Sequence, residues 1–383
     1  MGYSTIVLGG CGRMGTGSVQ LLLSDADCVR VGVADARADR LADRLPVDAK
    51  LEAPVALDIG NNADLERLVA GYDVVVNAVG PYYRHGTKAL DASIAAGVDY
   101  VDLCDDLAPT RQMLDRSEAA AAAGVTAVVG CGTSPGATNM TVAAAAESFD
   151  EVLEACISWV VPMQDAGGLA VGLHALHMLV SEVYRVVDGR GEFGAANTRS
   201  YDVDFPSPYR VLRVHEVGHP EPYTLHRGFP SLRTVWNAGA VYPYWAMERL
   251  LAAATLGLAD DEPLRFGDHE VAPGRIAIAL DVRFRDRNPD LPLGPEVSYA
   301  RVDIVGRTGG DVRGETYLAP DRMSEGAGGG AAVAAGLVAG GHTRVRGGVF
   351  APESVFVPKS YFAAMERAGL HIEKVERPHN VFA

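Results

Sequence analysis

The chain is short of lysine, of cysteine and of long apolar runs, and each shortage excludes something. Lysine occurs only at positions 50, 88, 359 and 374, and the formal net charge is -15. Phosphate backbones need a concentrated positive patch, so a general nucleic-acid binder is excluded and small metabolites are the expected partners. Arginine becomes the default cation for a substrate carboxylate, a task its planar fork suits. The five cysteines, Cys11, Cys28, Cys104, Cys131 and Cys156, are odd in number, widely spaced and without metal-ligand spacing. That argues against a disulfide framework or a zinc cluster and predicts buried thiols. No apolar run approaches the roughly 18–20 residues that span a bilayer. The N-terminus enters a strand at Ser4 without a signal peptide's charged and apolar regions, so a cytoplasmic protein is expected.

What is present reads as α/β. From Ser4 to about Gly130, short β-branched runs alternate with helical patterns, the signature of repeated βαβ units and a parallel, doubly wound Rossmann sheet. The predicted strands are TIVLGG from Thr5, VRVGVAD ending at Asp35, VALDI around Asp58, DVVVNAVG from Asp73, DYVDL from Asp99 and TAVVGC from Thr126. After about Thr141 the segments lengthen and alternate: CISWVV, IAIALDVRF from Ile276 and SYARVDIVG from Ser298. They predict a second, mixed α/β domain on a largely antiparallel sheet. The stretch EGAGGGAAVAAGLVAGG from Glu325 has small residues at helical spacing and predicts a helix packed against another backbone. The expected organisation is 1–135 dinucleotide-binding, 136–324 substrate-binding and dimerising, and 325–383 returning to the first domain.

Gly10, Gly12 and Gly15 spell G-x-G-x-x-G directly after the first strand. In that position the three glycines allow a tight turn, close approach of backbone to a pyrophosphate, and close helix–strand packing. The helix start, at Arg13 and Met14, offers amide donors to the anion. Asp35 closes the second strand 20 residues after Gly15, where a carboxylate accepts ribose hydroxyls and repels a 2′-phosphate. NAD is therefore expected over NADP, although Arg37 and Arg40 follow closely enough to meet a phosphate. Asp58 is placed near the adenine. Asn77, Ala78, Val79 and Gly80 lie at the carboxyl end of the fourth strand, where ligands bind in doubly wound folds, and their small size admits the nicotinamide half.

The segments GGCGRMG, DVVVNAVGPYYRHGTKALDASIAAGVDYVDLCDD, AAGVTAVVGCGTSPGATNM and RGGVFAPESVFVPKSYFAAMERAGLHIEKVE stand in one order across nearly the whole chain. In them the sequence resembles the saccharopine dehydrogenase-like family, particularly its short two-domain members such as lysine 6-dehydrogenase and carboxynorspermidine dehydrogenase. The resemblance implies hydride transfer at the C–N bond of an amino acid: either an amine is oxidised, or an imine formed from amine and carbonyl is reduced. It also implies a homodimer, and a cleft lined by the loops of Pro81 to His85, Asp102 to Asp106 and Gly132 to Asn139. Tyr83, Thr133, Ser134 and Asn139 are thus candidate substrate contacts. Ser134 stands where saccharopine reductases tend to carry aspartate, and the chain is too short for their extra helical domain, so saccharopine itself is disfavoured as substrate.

Amine oxidation needs a proton acceptor titrating near neutrality. Tyr82, His85, Asp102 and Asp105 are the candidates, since clustered carboxylates attract an ammonium and raise one another's pKa. His215, Glu216 and His219 spell H-E-x-x-H, but Gly218 and Pro220 interrupt the helix that zinc chemistry requires, and no metal site is expected. HPEPYTLHR is read instead as a substrate-facing loop, with Arg227 as the carboxylate anchor. His174 and His177 are read as helix packing residues. Two other readings stay open: a non-catalytic dinucleotide-binding redox sensor, and a dehydrogenase acting on a C–O bond.

Overall fold

The computed structural model describes residues 2–260 and 262–375. Its first sheet is seven-stranded and wholly parallel. In chain order the strands are β1 (Tyr3–Leu8), β2 (Cys28–Asp35), β3 (Val55–Ala56), β4 (Val74–Asn77), β5 (Asp99–Asp102) and β6 (Thr126–Val128). The spatial order continues from β6 through β5, β4, β1 and β2 to β3. β1 and β4 are buried along their whole length, as a sheet covered by helices on both faces requires. The seventh strand comes from far along the chain: Gly348–Phe350 pairs in parallel with β6, with Val349 opposite Ala127.

The second sheet is mixed and built on β7 (Glu151–Pro162). One neighbour, Thr234–Tyr242, runs parallel to it, and the other, Ser298–Thr308, runs antiparallel. The remaining pairings of that sheet are antiparallel. Together the two sheets give the α/β class expected from the sequence.

The glycine-rich stretch is a helix, Met323–Ala339, that crosses the first helix, Arg13–Ser24. Glycine is obligatory at the crossing. A Cβ on Gly17 would lie 2.0 Å from the Ser324 carbonyl oxygen, and one on Gly328 would lie 2.3 Å from that of Met14. The two backbones are close enough for Ser18 Oγ to donate to the Gly328 carbonyl at 2.8 Å.

Two expectations fail. IAIALDVRF is not a strand but part of the helix Pro273–Arg287. Proline at its first position and the i, i+4 spacing of Ile276, Leu280 and Phe284 suit a helix as well as the period-two run suits a strand, and the helical option prevails. HPEPYTLHR is likewise not a loop: Glu221–Gly228 is helical, with Pro222 near its start. Among the described residues no helix is long and apolar enough to cross a membrane.

Candidate active site

The first β–α turn has the form of an anion cradle. Its left-handed residue is Gly9, at φ 73°, one position before the motif's first glycine. A Cβ on Gly10 would press on Val33 at 2.9 Å, and one on Gly15 would lie 2.2 Å from the Gly9 carbonyl oxygen. A Cβ on Gly12, by contrast, would meet only the Gly9 carbonyl oxygen within 4 Å, so its outer side is open space. Gly12 caps the first helix without a side-chain hydrogen bond, leaving the first-turn amides aimed outward. This is the shape a pyrophosphate requires. Asp35 lies half-buried at the end of β2 and accepts from the Arg37 amide at 2.9 Å; the Arg37 side chain is exposed. The side chain of Arg40 lies outside the described residues.

From this turn a cavity of about 230 Å³ opens between the two sheets. Met14, Ala78, Gly80 and Pro81 form its floor on the dinucleotide side. Its walls are largely apolar, among them Trp159, Val171, Met178, Tyr299 and Met323, with Asp105, Thr133, Ser134, His174, His219 and Asp321 as polar groups.

Three distant segments meet there because backbone hydrogen bonds tie them. The Leu107 amide donates to the Gly218 carbonyl, and the Gly218 amide to the Met178 carbonyl. Asp105, His219 and His174 are each carried next to one of these ties. His174 Nε2 lies 3.2 Å from Asp105 Oδ2, and its Nδ1 lies 3.2 Å from Asp106 Oδ1. Burial alone would lower the His174 pKa, but the two carboxylates outweigh it and push it up to about 9. Burial raises Asp105, opposed by the His174 charge. Asp106 would also rise on burial, yet His174 and the Tyr83 amide hold it below the ordinary carboxylate value. Burial, with Glu325 and Asp165 nearby, pushes Asp321 up to about 7.

Behind this cluster, His219 Nδ1 lies 3.5 Å from Glu221 Oε2. Glu221 Oε1 accepts from Ser134 Oγ and from Asn237 Nδ2. One donor atom each from Asp105, His174 and His219 fall within 4.8 Å of one another, a grouping able to receive a cation. Both His174 nitrogens are already engaged by carboxylates. The H-E-x-x-H run does not form a site as a unit. His215 meets Asn197 and Tyr244, Glu216 pairs with Arg185, and only His219 reaches the cavity.

The structure brings some sequence candidates together and not others. Met14, Ala78, Gly80, Tyr82, Asp105, Thr133 and Ser134 line the cavity. Tyr82 gives it only a ring face, because its hydroxyl donates to the Asn77 carbonyl and accepts from the Leu103 amide. Asn77 is buried, bonding Tyr100 and the Val79 amide, and so shapes the loop around Val79. Asp102 is fully buried as a clasp between strand ends, accepting from the Cys104 and Gly130 amides and Tyr100; burial pushes it up to about 6.

His85 ends a short helix and does not line the cavity; burial and then Lys88 lower its pKa. Tyr83 stacks on His177 at 3.8 Å, and Asn139 is buried among the Gly136 amide, Thr224 and Glu353. Arg227 is exposed in the last turn of its helix, over the Tyr223 ring, because the stretch taken as a loop is helical and turns it outward. Arg13 is bound to Asp165 at 2.6 Å, and Asp58 is exposed two residues beyond β3. Sequence reading placed Asp106 only in a cleft-lining loop, and took His174 for a packing residue and His219 for part of a rejected metal motif. The signal for His174 was the polar residue amid GLHALHML, a cost on an apolar helix that a buried partner must offset.

Residues 6–128 match the family model described as the saccharopine dehydrogenase NADP binding domain. Over 98% of this chain and 100% of the other, the fold is similar to apo saccharopine dehydrogenase (L-Glu forming) from Saccharomyces cerevisiae, with TM-score 0.69 and 15% identity. The family match thus covers the first domain alone, and the likeness to the solved structure is one of fold. The first domain is an NAD(P)-binding domain, and the open face of Gly12 fits that assignment. The chain is also 27% identical to a trans-acting enoyl reductase of Mycobacterium leprae, over 34% of its own length and 32% of the relative's. The corresponding protein of Mycobacterium ulcerans is 30% identical over the same shares. The chain therefore spans about a third of the length of these curated relatives.

Proposed function

We propose that the protein is an NAD(P)-dependent oxidoreductase acting at a carbon–nitrogen bond. One observation carries the reading: the Asp105–His174–Asp106 cluster opens onto the cavity at the floor formed by Ala78, Gly80 and Pro81. A bound nicotinamide supplies the hydride acceptor or donor. The protein's own part is to hold and move a proton. A substrate ammonium donates to Asp105, whose carboxylate takes one proton and leaves the amine neutral. With hydride lost from the adjacent carbon to the nicotinamide, the product is an iminium, which water opens to carbonyl and ammonium. In reverse, protonated Asp105 returns its proton to nitrogen. His174 holds the carboxylate in place, and Asp106 fixes the ring. The apolar walls exclude competing water.

Within this reading Asp35 favours NAD over NADP. A second reading, reduction of a carbon–carbon double bond, draws on the apolar walls and on the partial likeness to the mycobacterial enoyl reductases. Absorbance at the reduced-nicotinamide band, followed in both directions with amines, amine–carbonyl pairs and enoyl thioesters, tests both. Turnover of amines or imines that falls at least about 100-fold in Asp105→Asn supports the first. Turnover of enoyl thioesters alone replaces it with the second.

A further inference from the structure

We infer that the substrate is an amine with an apolar body and no carboxylate on or near the reacting carbon. This rests on the carbon–nitrogen reading above and narrows it against the amino acid expected from the family resemblance. The charged side chains of the cavity wall, its histidines aside, are carboxylic acids. Asp105 and Asp321 present carboxyl groups to the space, and Glu221 stands directly behind Ser134 and His219. No lysine or arginine is among the described residues that line it.

The guanidinium groups that approach its margin are already committed. Arg13 is bound to Asp165, which is buried and also accepts from Ser298 and the Met323 amide. Arg285 donates to the Met163 and Ala166 carbonyls and pairs with Asp281. Ser134 has its proton turned to Glu221. His174 is held by two carboxylates on its two nitrogens, and His219 faces Glu221 at 3.5 Å, so each histidine of the wall already has an acid beside it.

An ammonium entering this space meets Asp105, while the rest of the molecule meets Trp159, Val171, Met178 and Tyr299. A carboxylate would lose its water beside Asp105 and Asp321 and gain no arginine or lysine in return. Selectivity against it arises from repulsion as much as from fit.

The test uses matched pairs that differ only by the carboxylate: 2-phenylethylamine with phenylalanine, 3-methylbutylamine with leucine, and cadaverine with lysine. Turnover is read as reduced nicotinamide, and binding is read separately by calorimetry on the full chain loaded with NAD. The expected result is an advantage of each amine over its amino acid on the order of 100-fold in kcat/KM and in affinity. Asp321→Asn, which removes one acid from the wall, should narrow that gap by improving the amino acid. Equal or better use of the amino acids overturns the inference and leaves the carbon–nitrogen reading standing. Turnover of alcohols or enoyl thioesters with no amine bound or used overturns both, as does failure to bind any amine.

Discussion

At the scale of single residues, a buried imidazolium between two carboxylates links His174 to pH. Its pKa, pushed up to about 9 against an ordinary value near 6.5, means that the folded state holds this proton more tightly than the unfolded chain. The stability it contributes is fully present below about pH 6.5 and is lost as pH rises through 9. Thermal denaturation across that range should show a falling melting temperature, and His174→Gln should remove much of the slope. The same substitution is expected to lower kcat at least about tenfold while leaving NAD affinity unchanged, as calorimetry would report. In the cradle, Gly12→Val should abolish dinucleotide binding without unfolding the protein, since its side chain fills only the open side of the turn. Asp35→Ala should weaken NAD more than NADP; equal losses would remove its ribose role. The glycine pattern and Asp35 are legible in sequence because their positions follow from chain-local geometry. His219 and His174 are not, because three separate segments must first be tied through Leu107, Gly218 and Met178.

At the scale of elements, β1, β2, β4, β5 and β6 were legible because buried parallel strands read as short apolar runs between helical patterns, whereas β3 is two exposed residues. IAIALDVRF was misread for a physical reason. Period-two alternation and an i, i+4 stripe coincide when Ala separates the larger apolar residues, and periodicity alone does not then choose. The glycine-rich helix was legible from composition, since so many small residues serve little purpose unless another backbone lies against them. That contact is testable. Gly328→Val forces side-chain atoms into the Met14 carbonyl and should destabilise the protein by roughly 3 kcal/mol, at or above the usual range for overpacking, as read from urea denaturation. Gly309→Ala is the control at a positive-φ glycine with no neighbour within 4 Å, where only backbone strain of about 1 kcal/mol is expected.

At the scale of the whole molecule, Glu353 joins parts that lie far apart in sequence. It is buried, accepts from Asn139 Nδ2 at 3.0 Å and is pushed up to about 7 by that burial. For an acid, a raised folded-state pKa means that stability falls as pH rises from about 4.5 through 7. Glu353→Gln should flatten the melting temperature over that window, below the one assigned to His174. The division into an NAD(P)-binding and a second sheet was visible from the change of strand character after Thr141. The strand pairing that brings Gly348–Phe350 back to β6 was not, because three residues carry no periodicity.

That return has a consequence for how the protein is made. The first sheet is complete only when β6 gains a strand about 220 residues downstream, and the Ser18 contact waits for Gly328. At about 5–20 residues per second, a nascent chain would expose an unpaired sheet edge for roughly 10–45 seconds and the bare glycine face of its first helix for roughly 15–60 seconds. Through those intervals it is open to mispairing with a neighbouring chain. Synthesis rate and chaperone supply, rather than the stability of the finished fold, would then govern the yield of native protein.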